Sequence, residues 1–221
     1  MIISTLIFGS IAASLALLVN PRIASFIGGV IWARFLGLIT PMLVRVTGRE
    51  NINKKQSYVI ISNHQSHYDV LVLYGWLGID FKWVMKQELR KIPGLGIGCE
   101  KIGHIFIDRS NRERSLASIN AAKEKIVDGT SVIFFPEGTR GETGELGEFK
   151  KGAFKLALEM KLPILPITIK GTSQILPPRT FNLKPGIVSM VIHPAIDVQD
   201  HNEDTLPDLM MTAHQIIASA L

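Results

Sequence analysis

Cysteine is almost absent from this chain. Cys99 stands alone among 221 residues, so no intramolecular disulfide can form, and a reducing compartment fits. Acidic side chains are missing from residues 1–47, whose only charges are Arg22, Arg34 and Arg45. No Ser or Cys stands in a G-x-S-x-G elbow, which removes that signature of a covalent acyl-enzyme. His64, His67 and Asp69 have side chains suited to a metal, yet no Cys or further His/Glu cluster completes a ligand set. The expectation is therefore no metal. Nucleic-acid motifs are missing too, so no nucleic-acid partner is expected. There is no internal repeat and no low-complexity stretch.

What is present is unevenly spread. Mean hydropathy is +0.26, and the excess lies at the amino terminus. Met1 to Asn20 is a run of twenty uncharged, mostly apolar residues, helical length enough to cross roughly 30 Å of hydrocarbon. No basic residue precedes Arg22, as a cleaved signal peptide would require. Asn20-Pro21 signals a turn, and Ile23 to Val44 is a second apolar segment with Arg34 near its middle. A charge at mid-bilayer costs about 2.5–3.5 kcal/mol, which favours an interfacial helix with Arg34 snorkelling outward. Residues 1–47 are thus expected to form a two-helix membrane-attached hairpin, with two full spans as the alternative. A globular catalytic domain, 48–221, follows. All 24 basic residues lie at or before Lys184 while five of the 19 acids follow it, leaving a body of +10 and a tail of −5. A basic body behind an apolar terminus points to an anionic membrane surface or anionic substrates.

Within 48–221 the pattern alternates. Tyr58 to Ile61, His104 to Ile107, Ser131 to Phe135, Ile164 to Ile169 and Ile187 to Ile192 read as strands. Helices are expected from Val70, over Arg114 to Val127, over Lys150 to Met160 and over Thr205 to Leu221. Phe81 to Ile92 reads as a basic amphipathic helix and Pro93 to Gly98 as a loop. Alternation of this kind indicates an α/β fold, a largely parallel mixed sheet flanked by helices.

The chemistry concentrates just beyond strand ends, where open α/β sheets hold ligands. Ser62-Asn63-His64-Gln65-Ser66-His67-Tyr68-Asp69 follows the first strand. Asp69 falls about one helical turn after His64, and a carboxylate there would orient the imidazole as a general base. Asp108-Arg109 and Glu137-Gly138-Thr139-Arg140 end two other strands. Each supplies an Arg fork suited to phosphate, and Gly138 admits close approach to the backbone. With no protein nucleophile, His64 would activate a hydroxyl of the substrate. A thioester suits such a reaction because its thiolate leaves readily.

Four segments carry a resemblance: Asn63-His64 to Asp69, Gly103-His104-Ile105-Phe106-Ile107-Asp108-Arg109, Phe135-Pro136-Glu137-Gly138-Thr139-Arg140 and Leu162-Pro163-Ile164-Leu165-Pro166-Ile167. In this order the chain resembles the 1-acyl-glycerol-3-phosphate acyltransferase (lysophosphatidic acid acyltransferase) family. The resemblance implies acyl transfer from acyl-CoA or acyl-carrier protein, as co-substrate without a cofactor, to lysophosphatidic acid. It implies His64 as base with Asp69 as its partner. Arg109, Glu137, Gly138, Thr139 and Arg140 would hold the glycerol phosphate, and Pro163 and Pro166 would lie on the acyl-donor side. The family commonly has Ser where this chain has Gly141. The amino-terminal hairpin resembles that of bacterial members, which implies attachment to a bacterial inner membrane, and the positive charge of the catalytic body points to its cytoplasmic face. Acylation of another polar lipid, metal-dependent phosphohydrolysis through His64, His67 and Asp69, and non-catalytic lipid binding are the other readings.

Overall fold

The computed structural model describes residues 2–93, 95–108, 113, 117–118, 120, 123–126, 129–141 and 145–221. The short β-branched runs assemble into one sheet of seven strands: β1 (Met42–Thr47), β2 (Val59–Ser62), β3 (Phe81–Lys86), β4 (Ile105–Ile107), β5 (Ser131–Phe134), β6 (Ile164–Lys170) and β7 (Gly186–Ile192). Their order is β1-β7-β6-β2-β5-β3-β4. Neighbours run parallel except β6 and β7, which are antiparallel. β2 is therefore central, with Ile60 facing Ile133 of β5 on one side and Leu165 of β6 on the other.

Alternation along each strand divides the core into two layers. Ile60, Ile133, Leu165, Ile167 and Val188 pack under α3 (Trp32–Ile39) and α4 (Tyr68–Trp76). Val59, Ile61, Val132, Phe134 and Ile164 pack under α6 (Gly152–Met160) and α8 (Leu206–Ala218), where Phe154, Leu156, Leu209 and Ile217 are buried. Further helices among the described residues include α1 (Ile2–Leu18), α2 (Pro21–Ser25), α5 (Leu95–Ile102) and the single turn α7 (Thr172–Ile175).

Several expectations are corrected. Phe81 to Lys86 is not a surface helix but β3, with Phe81, Lys82, Trp83 and Val84 buried between β5 and β4. The lysine hid the strand: its ammonium is held by Asp80 at 3.3 Å, so burial on both faces did not read as a continuous apolar run. Pro93 to Gly98 is not all loop, since α5 begins at Leu95. Its glycines serve close approach, because a Cβ on Gly98 would stand 2.9 Å from the Gly9 carbonyl of α1. The apolar stretch 23–44 is not one interfacial helix. It holds α2, a π-helical turn at Phe26–Ile31 and α3, and Met42 to Thr47 pairs with β7 as an edge strand of the main sheet. Arg34 does not snorkel; its Nε donates to the Gly75 carbonyl at the end of α4 (3.0 Å). Among the described residues no helix is long and apolar enough to cross a membrane. α1 ends at Leu18, and its Ala12 packs with Ala24 and Ile102 in a small separate core. Half of the expected helix 114–127 lies outside the described residues.

Candidate active site

The carboxyl ends of β2, β5 and β6 build the site. After β2 the chain is fixed sideways by Asn63, whose amide donates to the Ile169 carbonyl and accepts the Ile169 N–H, both at 2.8 Å. Asn63 thereby continues the β2–β6 ladder with its side chain instead of capping α4. Ser66 does approach the helix start, where its hydroxyl accepts the Tyr68 N–H at 3.3 Å.

This leaves His64 at the mouth of the turn and Asp69 in the first turn of α4, where helix amides favour a carboxylate. Asp69 is fully buried. Its Oδ2 accepts from His64 Nδ1 (2.9 Å) and from the N–H groups of Gln65 (2.7 Å) and Ser66 (2.8 Å). Its Oδ1 accepts the Thr172 hydroxyl at 2.5 Å. A carboxylate partner requires the proton on Nδ1, so the neutral ring keeps its lone pair on Nε2. The imidazole lies flat on Phe135, the residue following β5, with centroids 3.8 Å apart and planes 9° from parallel. One side chain orients the ring, another supports its face, and the free nitrogen is left to work. The side chain is 16 % exposed, enough to meet a substrate hydroxyl.

The turn after β5 approaches from the other side. Glu137 is buried, and its Oε1 accepts the His64 N–H (2.7 Å) while Oε2 accepts the Gly147 N–H (2.9 Å). Burial pushes its carboxyl above the ordinary value, against the pull of those two N–H groups and of His64. Both oxygens therefore bind the protein's own backbone. Gly138 has φ +78°, and a Cβ there would lie 2.6 Å from the Lys150 ammonium. Thr139 is exposed and Arg140 half-buried. The Gly141 N–H closes the turn onto the His64 carbonyl at 2.9 Å. Arg140 and His64 both depress the pKa of His67, after burial itself, with Asp69 opposing them. The basic side chains thus share one field at the mouth of the site.

Beside this turn runs a groove of about 950 Å³, walled by Phe134, Phe135, Pro136 and Gly138 and bordered by Lys150 and Lys151. Asp108 follows β4, while Arg109 lies outside the described residues. Pro166 is in the sheet and Pro163 immediately precedes β6: the Pro163 carbonyl accepts the Val59 N–H (3.1 Å), and Pro166 faces Ile61 in the β2–β6 register. The set His64, His67 and Asp69 is already committed at Asp69, where both oxygens hold protein donors. Among the described residues no three His, Cys, Asp or Glu side chains gather as metal ligands.

Thr172, Phe135, Gly147 and Lys150 were not singled out from the sequence. Thr172 carried a usable signal, since Gly171-Thr172 follows β6 just as His64, Asp108 and Glu137 follow their own strands.

Comparison with known proteins assigns the family and the fold. The family model described as acyltransferase matches residues 43–170. The 1-acyl-sn-glycerol-3-phosphate acyltransferase of Chlamydomonas reinhardtii is 35 % identical over 80 % of this chain and 53 % of its own length. The enzyme of that name from Pseudomonas aeruginosa is 31 % identical over 86 % of this chain and 75 % of its own. The chain spans about half the length of the first of these relatives. The crystal structure of the 1-acyl-sn-glycerophosphate acyltransferase from Thermotoga maritima superposes with a TM-score of 0.73 at 25 % identity, covering 99 % of this chain and 93 % of that one.

Proposed function

The chain belongs to the acyltransferase family, and from that premise we propose that it transfers a fatty acyl group from a thioester to the sn-2 hydroxyl of 1-acyl-glycerol-3-phosphate, making phosphatidic acid. Acyl-CoA or acyl-carrier protein would be the donor. The observation that carries this reading is the His64–Asp69 pair, buried on the carboxylate side and open at the imidazole.

His64 Nε2 takes the proton of the sn-2 hydroxyl as its oxygen attacks the thioester carbonyl. Asp69 holds the Nδ1 proton and stabilises the imidazolium that forms. Collapse of the tetrahedral intermediate breaks the C–S bond, and the thiolate takes the proton back from Nε2. No acyl-enzyme is needed.

Arg140, with Gly138 and Thr139, would receive the glycerol phosphate, joined by Arg109 from the end of β4. Lys150 adds a third cation, beside Gly138. Glu137 serves this site from behind by holding the turns that carry His64 and Gly147. Pro163 and Pro166 would act on the donor side, Pro163 just before β6 and Pro166 within it, where the Pro nitrogens give no N–H to the ladder. The exposed apolar side chains of α1 and α3 would rest on a phospholipid surface. In a bacterium this is the inner membrane with the catalytic domain on its cytoplasmic face.

The test uses detergent-solubilised protein, labelled lysophosphatidic acid and a series of acyl-CoAs and acyl-carrier proteins, without added metal. Phosphatidic acid from the native protein is the expected product. His64→Ala should lower turnover by about 10²–10⁴-fold. Equal turnover in a folded His64→Ala protein would remove the base, and product only with a different lysolipid would reassign the acceptor.

A further inference from the structure

We infer that Thr172 is a positioning residue that completes a buried His64–Asp69–Thr172 relay, so that the third strand end, after β6, sets the orientation of the base. This rests on the proposed chemistry of His64. It adds to it a group from a part of the chain more than a hundred residues away from Asp69.

Asp69 has two oxygens, and they are used unequally. Oδ2 meets the imidazole and two local N–H groups, all from the same turn. Those three donors fix Oδ2, but the plane of the carboxylate is still free to rotate about its own axis. Among the described residues only the Thr172 hydroxyl donates to Oδ1, and it does so at 2.5 Å with both residues fully buried. Short O–H···O⁻ bonds of this kind are among the stronger neutral-to-charged contacts. With both oxygens pinned, the carboxylate plane is set, and with it the direction in which His64 Nε2 points.

The backbone delivers Thr172 with little freedom. Gly171 has φ +98°, and a Cβ there would stand 2.4 Å from the Ile187 carbonyl of β7. Only glycine makes this turn, so β6 must pass directly into α7. A second stitch lies alongside: the Ser66 hydroxyl donates to the Leu176 carbonyl at the end of α7 (2.8 Å). Asn63 binds Ile169 three residues earlier in the same strand. Three residues of the His64 turn and its helix, Asn63, Ser66 and Asp69, are thus each tied to residues 169–176.

The charges facing Asp69 are His64 and His67 from its own segment and Glu137 from the turn after β5; Arg140 acts on His67. None of them reaches Oδ1. Loss of the Thr172 hydroxyl therefore leaves the carboxylate charge less shared and strengthens its pull on the imidazole. Neutral His64, the form that acts as base, then survives only at higher pH.

The test compares Thr172→Val, which keeps the shape, with Thr172→Ser, which keeps the hydroxyl. Thr172→Val should lower kcat about 10- to 100-fold, the range for a lost hydrogen bond to a charged group, with KM for both substrates unchanged. The acid limb of kcat/KM should move to higher pH. In the substrate-free protein, the ring-nitrogen NMR titration of His64 should move the same way. Thr172→Ser should restore all three. Native kcat and a native His64 titration in Thr172→Val would overturn the relay. So would a loss of kcat that Ser does not rescue and that leaves the titration unmoved, since that is the mark of a merely structural residue. The NMR readout needs no substrate, so it decides the relay even if the proposed acyl acceptor is wrong.

Discussion

At the scale of single residues, the turn after β5 that carries Arg140 lies beside the His64–Asp69 pair rather than within it. Arg140 stands in the turn that closes onto the His64 carbonyl, yet it makes no contact with the base pair itself. Its guanidinium is suited to a bidentate grip on phosphate. Replacing it with Ala should therefore raise KM for lysophosphatidic acid about 10- to 100-fold, the worth of one or two charge-assisted bonds, and leave kcat close to native. Steady-state kinetics with varied acceptor checks this, and an unchanged KM would take the phosphate away from Arg140. Arg140→Lys should recover only part of the loss, because a point charge cannot replace the planar fork. Glu137 is a contrasting case. The sequence shows an acid three residues from the Arg140 fork, which looks like a ligand contact; the fold shows both oxygens engaged with backbone N–H groups.

At the scale of elements, His104 joins three of them. It precedes β4, its Nδ1 accepts the Trp83 N–H of β3 (3.3 Å), and its Nε2 donates to the Tyr74 hydroxyl of α4 (2.5 Å). Burial, with Lys82 adding to it, pulls its pKa from 6.5 down to about 3. The folded protein thus holds His104 neutral where an unfolded chain would protonate it. The stability this provides is complete above pH 6.5 and is lost as pH falls from there toward 3. The slope is about 1.4 kcal/mol per pH unit for one such proton. His104→Gln can keep both hydrogen bonds without titrating, so its melting temperature should fall less steeply between pH 6.5 and 4.5. Measuring the difference between the two proteins cancels the other groups, including His67 and His193, which shift the same way, and Glu137, which shifts oppositely. Parallel curves would rule out His104 as the source.

The elements also mark where the sequence was legible. Strands whose core faces are uninterrupted, β2, β5, β6 and β7, stood out from their β-branched runs, and the ends of two of them, β2 and β5, located His64, Asp69 and the turn at 137–140. β3 did not stand out because Lys82 is buried beside Asp80 and breaks the apolar pattern. β1 was lost inside a long apolar segment, since no local rule distinguishes a strand from a helix there until β7 pairs with it. Thr172 was missed for a related reason. Its role depends on a contact with Asp69 that only the sheet order brings about.

At the scale of the whole molecule, the amino-terminal helices are both core and surface. Ala33 and Leu36 of α3 pack into the layer above the sheet, and Ala12 of α1 packs beside α5. The outward side chains do not follow polar convention: Ile3, Leu18 and Leu38 are 74, 84 and 77 % exposed, with Ile7, Phe26, Phe35 and Ile39 also exposed. A water-facing surface this apolar would be unusual for a soluble monomer, and no acid among residues 1–47 opposes an anionic bilayer. Insertion of these side chains to the depth of the acyl boundary would hold the protein where the proposed lipid acceptor lies. Fully burying one Leu contributes about 1.5–3 kcal/mol, so the double change Leu18→Asp and Leu38→Asp should lower partitioning onto anionic phospholipid vesicles by more than about tenfold. Turnover of a short-chain, freely dissolved acceptor should stay native, because both side chains face outward from the helices that carry them. Vesicle co-sedimentation beside that soluble assay separates the two effects. Native partitioning in the double variant would move the membrane contact to another face, and a fall in soluble turnover would mean that the helices support the catalytic core.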